Sequence, residues 1–250
     1  MDAQSFYDDL AGDYAALHAD WPNSVRAQGE VLDRLIRSEL GDAPQAVLDC
    51  SCGIGTQAIG VALRGHDVLA TDLSPASIVR ARHEAASMGA ALTFGVADFT
   101  RLAEQVDGTF ACVLSCDNSV AHLHSDDDLA RFATGVAAKL QPGGLALVSL
   151  RDYAALRAER AGGHPVRHGP GTVSFQIWDW DDEGHSYELA QFTLRGQGES
   201  WKTTCRRTRL RALLRDELCD ALAAAGLDDV RWRTPDETGY YQPIVTARRP

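Results

Sequence analysis

The stretch from Ala46 to Gln57, Ala-Val-Leu-Asp-Cys-Ser-Cys-Gly-Ile-Gly-Thr-Gln, constrains this chain more than any other. An apolar run ends in Asp49, a small-residue turn carries Gly53 and Gly55, and a helix is expected from Thr56 or Gln57 through Arg64. Glycines let a backbone come close to a ligand, and the free N–H groups of a helix start face it. The next strand, His66 to Thr71, ends in Asp72, 17 residues after Gly55, a spacing suited to a ribose diol. Together these features predict a nucleotide-type site. Gly53-x-Gly55-x-x-Ala58 also satisfies the loose dinucleotide pattern, so the loop alone does not choose its ligand.

Around this stretch, strands and helices alternate. Strands are expected at 46–49, 67–71, 92–97, 110–116 and 145–150, with helices at 57–64, from Ser74-Pro75 to Met88, and at 126–140. Such alternation means a parallel sheet covered on both faces, with ligands beyond the carboxyl ends of the strands. Asp49, Asp72, Asp98, Asn118 and Arg151 all fall at those ends.

Two helices should precede the sheet. One spans 4–17, with Phe6, Leu10, Tyr14 and Leu17 on one stripe; the other spans 24–40, after a break at Trp21-Pro22-Asn23. Residues 1–45 are thus expected to form a helical lid. After residue 151 the pattern changes to a short helix at 152–160, a Gly/Pro/His stretch at 162–171 and strands at 172–180, 186–195 and 201–210. Turn signals separate those strands, which predicts an antiparallel subdomain, 153–211, inserted after strand five. Its aromatics, Phe175, Trp178, Trp180, Tyr187, Phe192 and Trp201, should mostly fill its own core, with Trp178 turned to the substrate. The five arginines at 206, 207, 209, 211 and 215 read as a solvated face. A helix at 216–225 and strands at 230–233 and 242–248 complete the main sheet, so 46–152 and 212–250 form one domain. The expected fold is an α/β, Rossmann-like sheet with helices on both faces and a small antiparallel β insertion.

A net charge of −11 argues against a nucleic-acid partner. No apolar run approaches the roughly 20 residues of a membrane helix, and Met1-Asp2-Ala3-Gln4 does not open a signal peptide. A cytoplasmic enzyme without a membrane partner is expected, and a homo-oligomer is compatible with the sequence. The cysteines at 50, 52, 112, 116, 205 and 219 lack zinc-knuckle spacing and read as buried thiols, so no metal is expected.

Asp49 stands four residues before Gly53, which makes the loop longer than a dinucleotide turn. A ligand without a pyrophosphate suits it better, and S-adenosylmethionine is the expected cofactor. Asp49 would meet its ammonium, Arg26 its carboxylate, Asp72 its ribose diol and Asp98 its adenine amino group, with Leu73 also among the cofactor-binding residues. A nicotinamide-dependent oxidoreductase and a non-catalytic binding protein remain as alternatives.

Three runs resemble the glycine N-methyltransferase family of class I methyltransferases. Val47-Leu48-Asp49-Cys50-Ser51-Cys52-Gly53-Ile54-Gly55 resembles its first motif. Cys116-Asp117-Asn118-Ser119-Val120-Ala121-His122-Leu123 resembles its Gly-Asn-Ser-Phe-Ala-His-Leu segment, and Leu147 to Tyr153 resembles its Arg-Asn-Tyr run. The resemblance implies that Tyr7, Tyr14 and Arg26 close over or bind the methionine end of the cofactor. Ser51 and Asp72 would line the loop and ribose, and Asp98 and Phe99 would hold the adenine. Cys116, Asn118, Ser119 and His122 would form the wall at strand four. Arg151 would bind a substrate carboxylate, and Tyr240 or Tyr241 would line the acceptor pocket. The family's tyrosine-rich substrate segment is not recognisable here; Arg211 stands near its place and is the substitute expected to touch substrate. The expected reaction is in-line displacement of a methyl group onto a small molecule, at nitrogen rather than oxygen or carbon. Arg151 and Tyr7 are the residues expected to carry it.

Overall fold

The computed structural model describes residues 2–14 and 20–250. Helix α1 (Ala3–Leu10) and the long α2 (Trp21–Leu40) lead into the alternating part of the chain. That part runs β1 (Ala46–Asp49), α3 (Thr56–Ala62), β2 (Asp67–Asp72), α4 (Pro75–Met88), β3 (Thr93–Val96), α5 (Leu102–Gln105), β4 (Phe110–Ser115), α6 (Asp126–Lys139) and β5 (Leu140–Ser149). After α7 (Tyr153–Glu159) come β6 (Arg167–Gly169), β7 (Thr172–Trp180), β8 (Ser186–Gln197) and β9 (Ser200–Arg211). The chain closes with α8 (Arg215–Ala224), β10 (Asp228–Arg233), α9 (Pro235–Thr238) and β11 (Ile244–Arg248).

Among the described residues the strands form two sheets. The larger has the order β3-β2-β1-β4-β5-β11-β10, and β1 to β5 are parallel. β11 returns antiparallel beside β5, and β10 pairs antiparallel with β11. The smaller sheet, β6-β7-β8-β9, is wholly antiparallel. This is an α/β Rossmann-like fold with an antiparallel insertion after strand five. Central strands read as apolar runs because both faces are covered: Val47, Leu48, Val113, Leu114 and Leu147 are buried.

Two glycines set how α2 meets the sheet. A Cβ on Gly29 would lie 2.4 Å from the Gly60 carbonyl carbon, and one on Gly60 would lie 2.4 Å from the Val25 oxygen. The backbones of α2 and α3 therefore touch. The Trp21 indole donates to the Thr56 hydroxyl at 3.0 Å, tying the start of α2 to the start of α3.

Several boundaries differ from the sequence reading. Trp21-Pro22-Asn23 does not break the chain; it is the first turn of α2, where Asp20 caps the Asn23 N–H and proline needs no donor. α1 ends at Leu10, and the expected Leu17 lies outside the described residues. β5 begins at Leu140 and runs through Pro142-Gly143-Gly144, tolerated because the ladder to β4 is irregular between Phe110 and Cys112. The Gly/Pro/His stretch hides the short edge strand β6.

The small sheet also corrects the expected aromatic core. Register puts Trp180, Tyr187 and Leu210 on one face, together with Trp178, Leu189 and Thr208. That face packs on the main domain. Phe175 and Phe192 point the other way, stacked 4.9 Å apart, and Trp201 is exposed. A four-stranded sheet has only one face to bury here, so alternation sends half of its aromatics outward. No helix of the described residues is long and apolar enough to cross a membrane.

Candidate active site

Two adjoining cavities open at the carboxyl ends of β1, β2, β4 and β5. The first is built on the β1–α3 loop. Gly53 and Gly55 have φ of +54° and +96°, conformations that side chains strain. Asp72 holds this loop: one carboxylate oxygen accepts from the Gly53 N–H at 2.8 Å, the other from the Ser74 N–H at 2.9 Å. The cavity is lined by Ser51, Gly53, Asp72, Leu73, Phe99, Cys116, Ser119 and His122, with Tyr7 and Tyr14 over them. Ser51 pairs with the Ser115 hydroxyl at 2.9 Å.

Asp49 lies under the loop, 1% exposed. One of its oxygens accepts from the Ser51 N–H at 3.3 Å, while Oδ2 is buried without a partner. Burial, helped by the Asp72 charge, pushes this carboxyl up to about 7. The folded chain then keeps a proton that the unfolded chain loses near pH 4, so Asp49 makes stability fall as pH rises from about 4 to 7. We expect Asp49→Asn to flatten that fall in the ligand-free protein. Denaturant unfolding of both proteins from pH 5 to 8 reads the difference, and parallel curves would refute it.

The second cavity has a volume of about 780 Å³. At its base Arg151 donates to the Tyr187 hydroxyl at 2.9 Å and pairs with His164 Nε2 at 3.2 Å. The guanidinium also sits 4.8 Å over the Trp178 ring. Burial, then the Arg151 and Arg167 charges, lower His164 to about 4, so its neutral ring can accept from the guanidinium. Asn118 bridges the strand ends: it accepts from the Arg151 N–H at 3.2 Å and donates to the Tyr153 hydroxyl at 2.8 Å. Tyr153 in turn meets Tyr187 at 3.1 Å.

Tyr7, Tyr14, Asp117 and His122 line both cavities. Tyr7 and His122 Nε2 are 3.0 Å apart. Burial first, then the charges of His124 and Arg151, lower His122 to about 3, which keeps it neutral. Asp117 accepts from Tyr14 at 3.0 Å and from Tyr241. Asp117 and Asn118 have φ of +58° and +68°. Two successive left-handed residues without a glycine cost of order 1 kcal/mol each, and such strain concentrates at functional sites.

Of the residues singled out from sequence, the two cavities bring together Tyr7, Tyr14, Ser51, Gly53, Asp72, Leu73, Phe99, Cys116, Asn118, Ser119, His122, Arg151, Trp178 and Tyr241. Others lie apart. Arg26 is exposed and lines neither cavity, because α2 turns Asn23, Ser24, Ala27 and Gln28 to the site. Arg211 pairs with Asp126 and Glu217 away from both cavities. Asp98 caps a short turn through Thr100. Gly55 begins α3 behind the loop. Tyr240 is buried behind the wall, donating to Gln28 at 2.9 Å. Cys50 and Cys52, by contrast, line the loop-side cavity as buried thiols whose ionisation burial pushes well up, while Cys205 is exposed rather than buried. Sequence reasoning missed Asp117, His164 and Tyr187. Only Asp117 left a signal, an Asp-Asn pair at a strand end.

A glycine loop after the first parallel strand, with a carboxylate at the end of the second, defines a nucleoside-binding α/β enzyme site. The loop-side cavity is lined by Asp72 and Asp117 and by no lysine or arginine among the described residues. Such a lining repels a pyrophosphate, while the partnerless Asp49 oxygen nearby suits a cation. These residues fit S-adenosylmethionine.

Comparison with known proteins agrees. A methyltransferase domain family matches residues 47–144. A glycine/sarcosine N-methyltransferase of Parasynechococcus marenigrum is 30% identical over 154 residues, 62% of this chain and 52% of the relative. The chain thus spans about half the length of that relative. A 2-heptyl-1-hydroxyquinolin-4(1H)-one methyltransferase of Mycobacteroides abscessus is 30% identical over 164 residues, 65% of this chain and 69% of the relative. An amino pentose methyltransferase of Micromonospora echinaspora, solved with S-adenosylmethionine bound, shares the fold. Its TM-score is 0.74 at 20% identity, over 96% of this chain and 95% of that one. The chain belongs to the class I S-adenosylmethionine-dependent methyltransferases, and S-adenosylmethionine is its cofactor.

Proposed function

We propose that this protein methylates a small molecule at nitrogen, with the acceptor in the larger cavity and the cofactor on the glycine loop. The observation that carries the reading is the shared wall. Tyr7, Tyr14, Asp117 and His122 line both cavities, so a group bound in one faces a group bound in the other. The cofactor, when bound, supplies an activated methyl group on a sulfonium.

The chain's own work is positioning, which supplies much of the rate in such reactions. Asp72 holds the ribose and the loop, Phe99 packs beside the adenine, and Ser51 lines the methionine end. Arg151 orients the acceptor by a two-pronged contact, its plane fixed by Trp178, Tyr187 and His164. Solvent takes the proton that frees the acceptor nitrogen's lone pair, and the neutral amine then attacks, the C–S bond breaking as the C–N bond forms. α1, with Tyr7 on it, acts as the lid over the shared wall. α1 is fastened on both sides, by Asp8 to the Ser74 hydroxyl and Ala76 N–H and, just beyond the helix, by Asp13 to Arg195 and Arg206.

Nitrogen is favoured by the glycine/sarcosine relative, while the hydroxyquinolinone relative supports a second reading with a hydroxyl acceptor. Calorimetry with S-adenosylmethionine and NAD tests the cofactor: heat is expected with the first and none with the second. A mass-spectrometric screen of amines, amino acids and phenols for methyl uptake then decides between acceptors; uptake on phenols alone would overturn nitrogen.

A further inference from the structure

The larger cavity poses a question that Arg151 does not answer: what recognises the end of the acceptor that must face the methyl group. Arg151 belongs to the end of β5, beneath Trp178 and Tyr187 of the small sheet. The acceptor's reacting atom must instead sit at the wall common to both cavities. Of the four residues there, Tyr7 and Tyr14 are phenols whose burial pushes their ionisation upward, and His122 is a neutral imidazole. Asp117 is the carboxylate of that wall.

Three features set Asp117 apart. It is aimed by two hydroxyl donors: Tyr14 meets Oδ2, and Tyr241, from the segment before β11, meets Oδ1. Its N–H donates to the Ser149 hydroxyl at 2.7 Å, and Ser149 donates to Gln242 at 3.0 Å, which pins the backbone between β4 and β5. It also holds a left-handed conformation, φ +58°, that side chains rarely adopt. A carboxylate in a strained backbone position and held from both sides is fixed in direction toward the space both cavities share. Each oxygen accepts one phenol and keeps a further lone pair for a donor in the cavity.

We propose that Asp117 is the specificity-determining anion of the acceptor site: it draws in the acceptor's ammonium and, once solvent has taken one proton, accepts an N–H of the neutral amine held at the cofactor wall. This rests on the N-methyltransferase reading above. It deepens that reading by naming the acceptor class: a primary or secondary amine of a polar molecule, with a carboxylate, carbonyl or hydroxyl directed to Arg151. A cavity of about 780 Å³ takes a body of sugar or larger size rather than a single amino acid. The same carboxylate disfavours phenolates and other anions at the reacting position.

Asp117→Asn keeps the left-handed backbone and one acceptor oxygen while removing the charge. The probes are amino-deoxy hexose methyl glycosides and tyramine, each paired with the analogue carrying hydroxyl in place of the amine. They are titrated by NMR into protein saturated with S-adenosylhomocysteine. The wild type is expected to prefer amines by about tenfold or more, and Asp117→Asn to bring each pair within about twofold. Because Asp117 lines the cofactor cavity as well, S-adenosylhomocysteine is first titrated into each protein and kept saturating for both. Equal binding of amines and hydroxyl analogues by the wild type, a preference that survives in Asp117→Asn, or binding of none of the amines overturns the assignment. Failure of S-adenosylhomocysteine itself to bind strikes the methyltransferase reading instead, so the two failures are told apart.

Discussion

Asp72→Ala should weaken S-adenosylmethionine binding by about 100-fold, roughly 2.7 kcal/mol. Two losses add. On the cofactor placement proposed above, the carboxylate no longer accepts from the ribose, a charged hydrogen bond of about 1.5–3 kcal/mol. It also no longer holds the Gly53 and Ser74 N–H groups at 2.8 and 2.9 Å, so a loop that needs φ of +54° at Gly53 loses its brace. Asp72→Asn keeps one acceptor oxygen and should cost nearer tenfold. Titration calorimetry of the three proteins measures this directly. An alanine variant within about threefold of wild type would remove Asp72 from the cofactor site. Burial raises the Asp72 carboxyl from its ordinary value, so Asp72→Asn relieves a buried charge while keeping one acceptor oxygen. Asp72→Ala also leaves the Gly53 and Ser74 N–H groups without their acceptor and should be the less stable of the two in the ligand-free protein.

The second large effect is on the acceptor. Arg151→Lys should lower kcat/KM for the acceptor by about 100-fold or more, with cofactor affinity unchanged. Lysine keeps the charge but has no plane to lie 4.8 Å over Trp178 and no fork to reach Tyr187 and His164 at once. Arg151→Met removes the charge at similar length and should be worse, because it leaves the Tyr153–Tyr187 pair without its cation. Steady-state kinetics against acceptor, with S-adenosylhomocysteine binding as the control, separates the roles. Equal acceptor KM and kcat in Arg151→Lys would show that the guanidinium only braces the small sheet.

Much of this fold could be read from local pattern. The alternation of apolar runs and helices gave the parallel sheet, and Ser74-Pro75 marked the start of α4 correctly. Failures came where one local signal has two meanings. Pro22 reads as a break, yet it is equally at home in a helix's first turn, and Asp20 made it so. Pro142-Gly143-Gly144 reads as a turn, yet an irregular ladder absorbs it within β5. Arg26 is expected to meet the cofactor carboxylate from its place in the first turn of the helix and from the family resemblance, yet it lies outside both cavities. A helix advances about 100° per residue, and the face with Ser24, Ala27 and Gln28 is the one that lines the acceptor cavity.

The sequence by itself determined the architecture, the glycine loop and its Asp72, and the class of cofactor, because each is written in a window of a few to some twenty residues. Tertiary structure alone decided the rest. It turned one face of β7 and β8 inward as a whole, so that Trp178 reaches the cavity, as expected, while Phe175 and Phe192, expected in the small sheet's core, face outward. It brought Tyr14 and Tyr241, 103 and 124 residues away in sequence, onto Asp117. Side-chain direction in a strand is known to within a choice of two, and the docking of one sheet on another makes that choice. Contacts across such separations follow from packing of the whole chain, and no local periodicity encodes them.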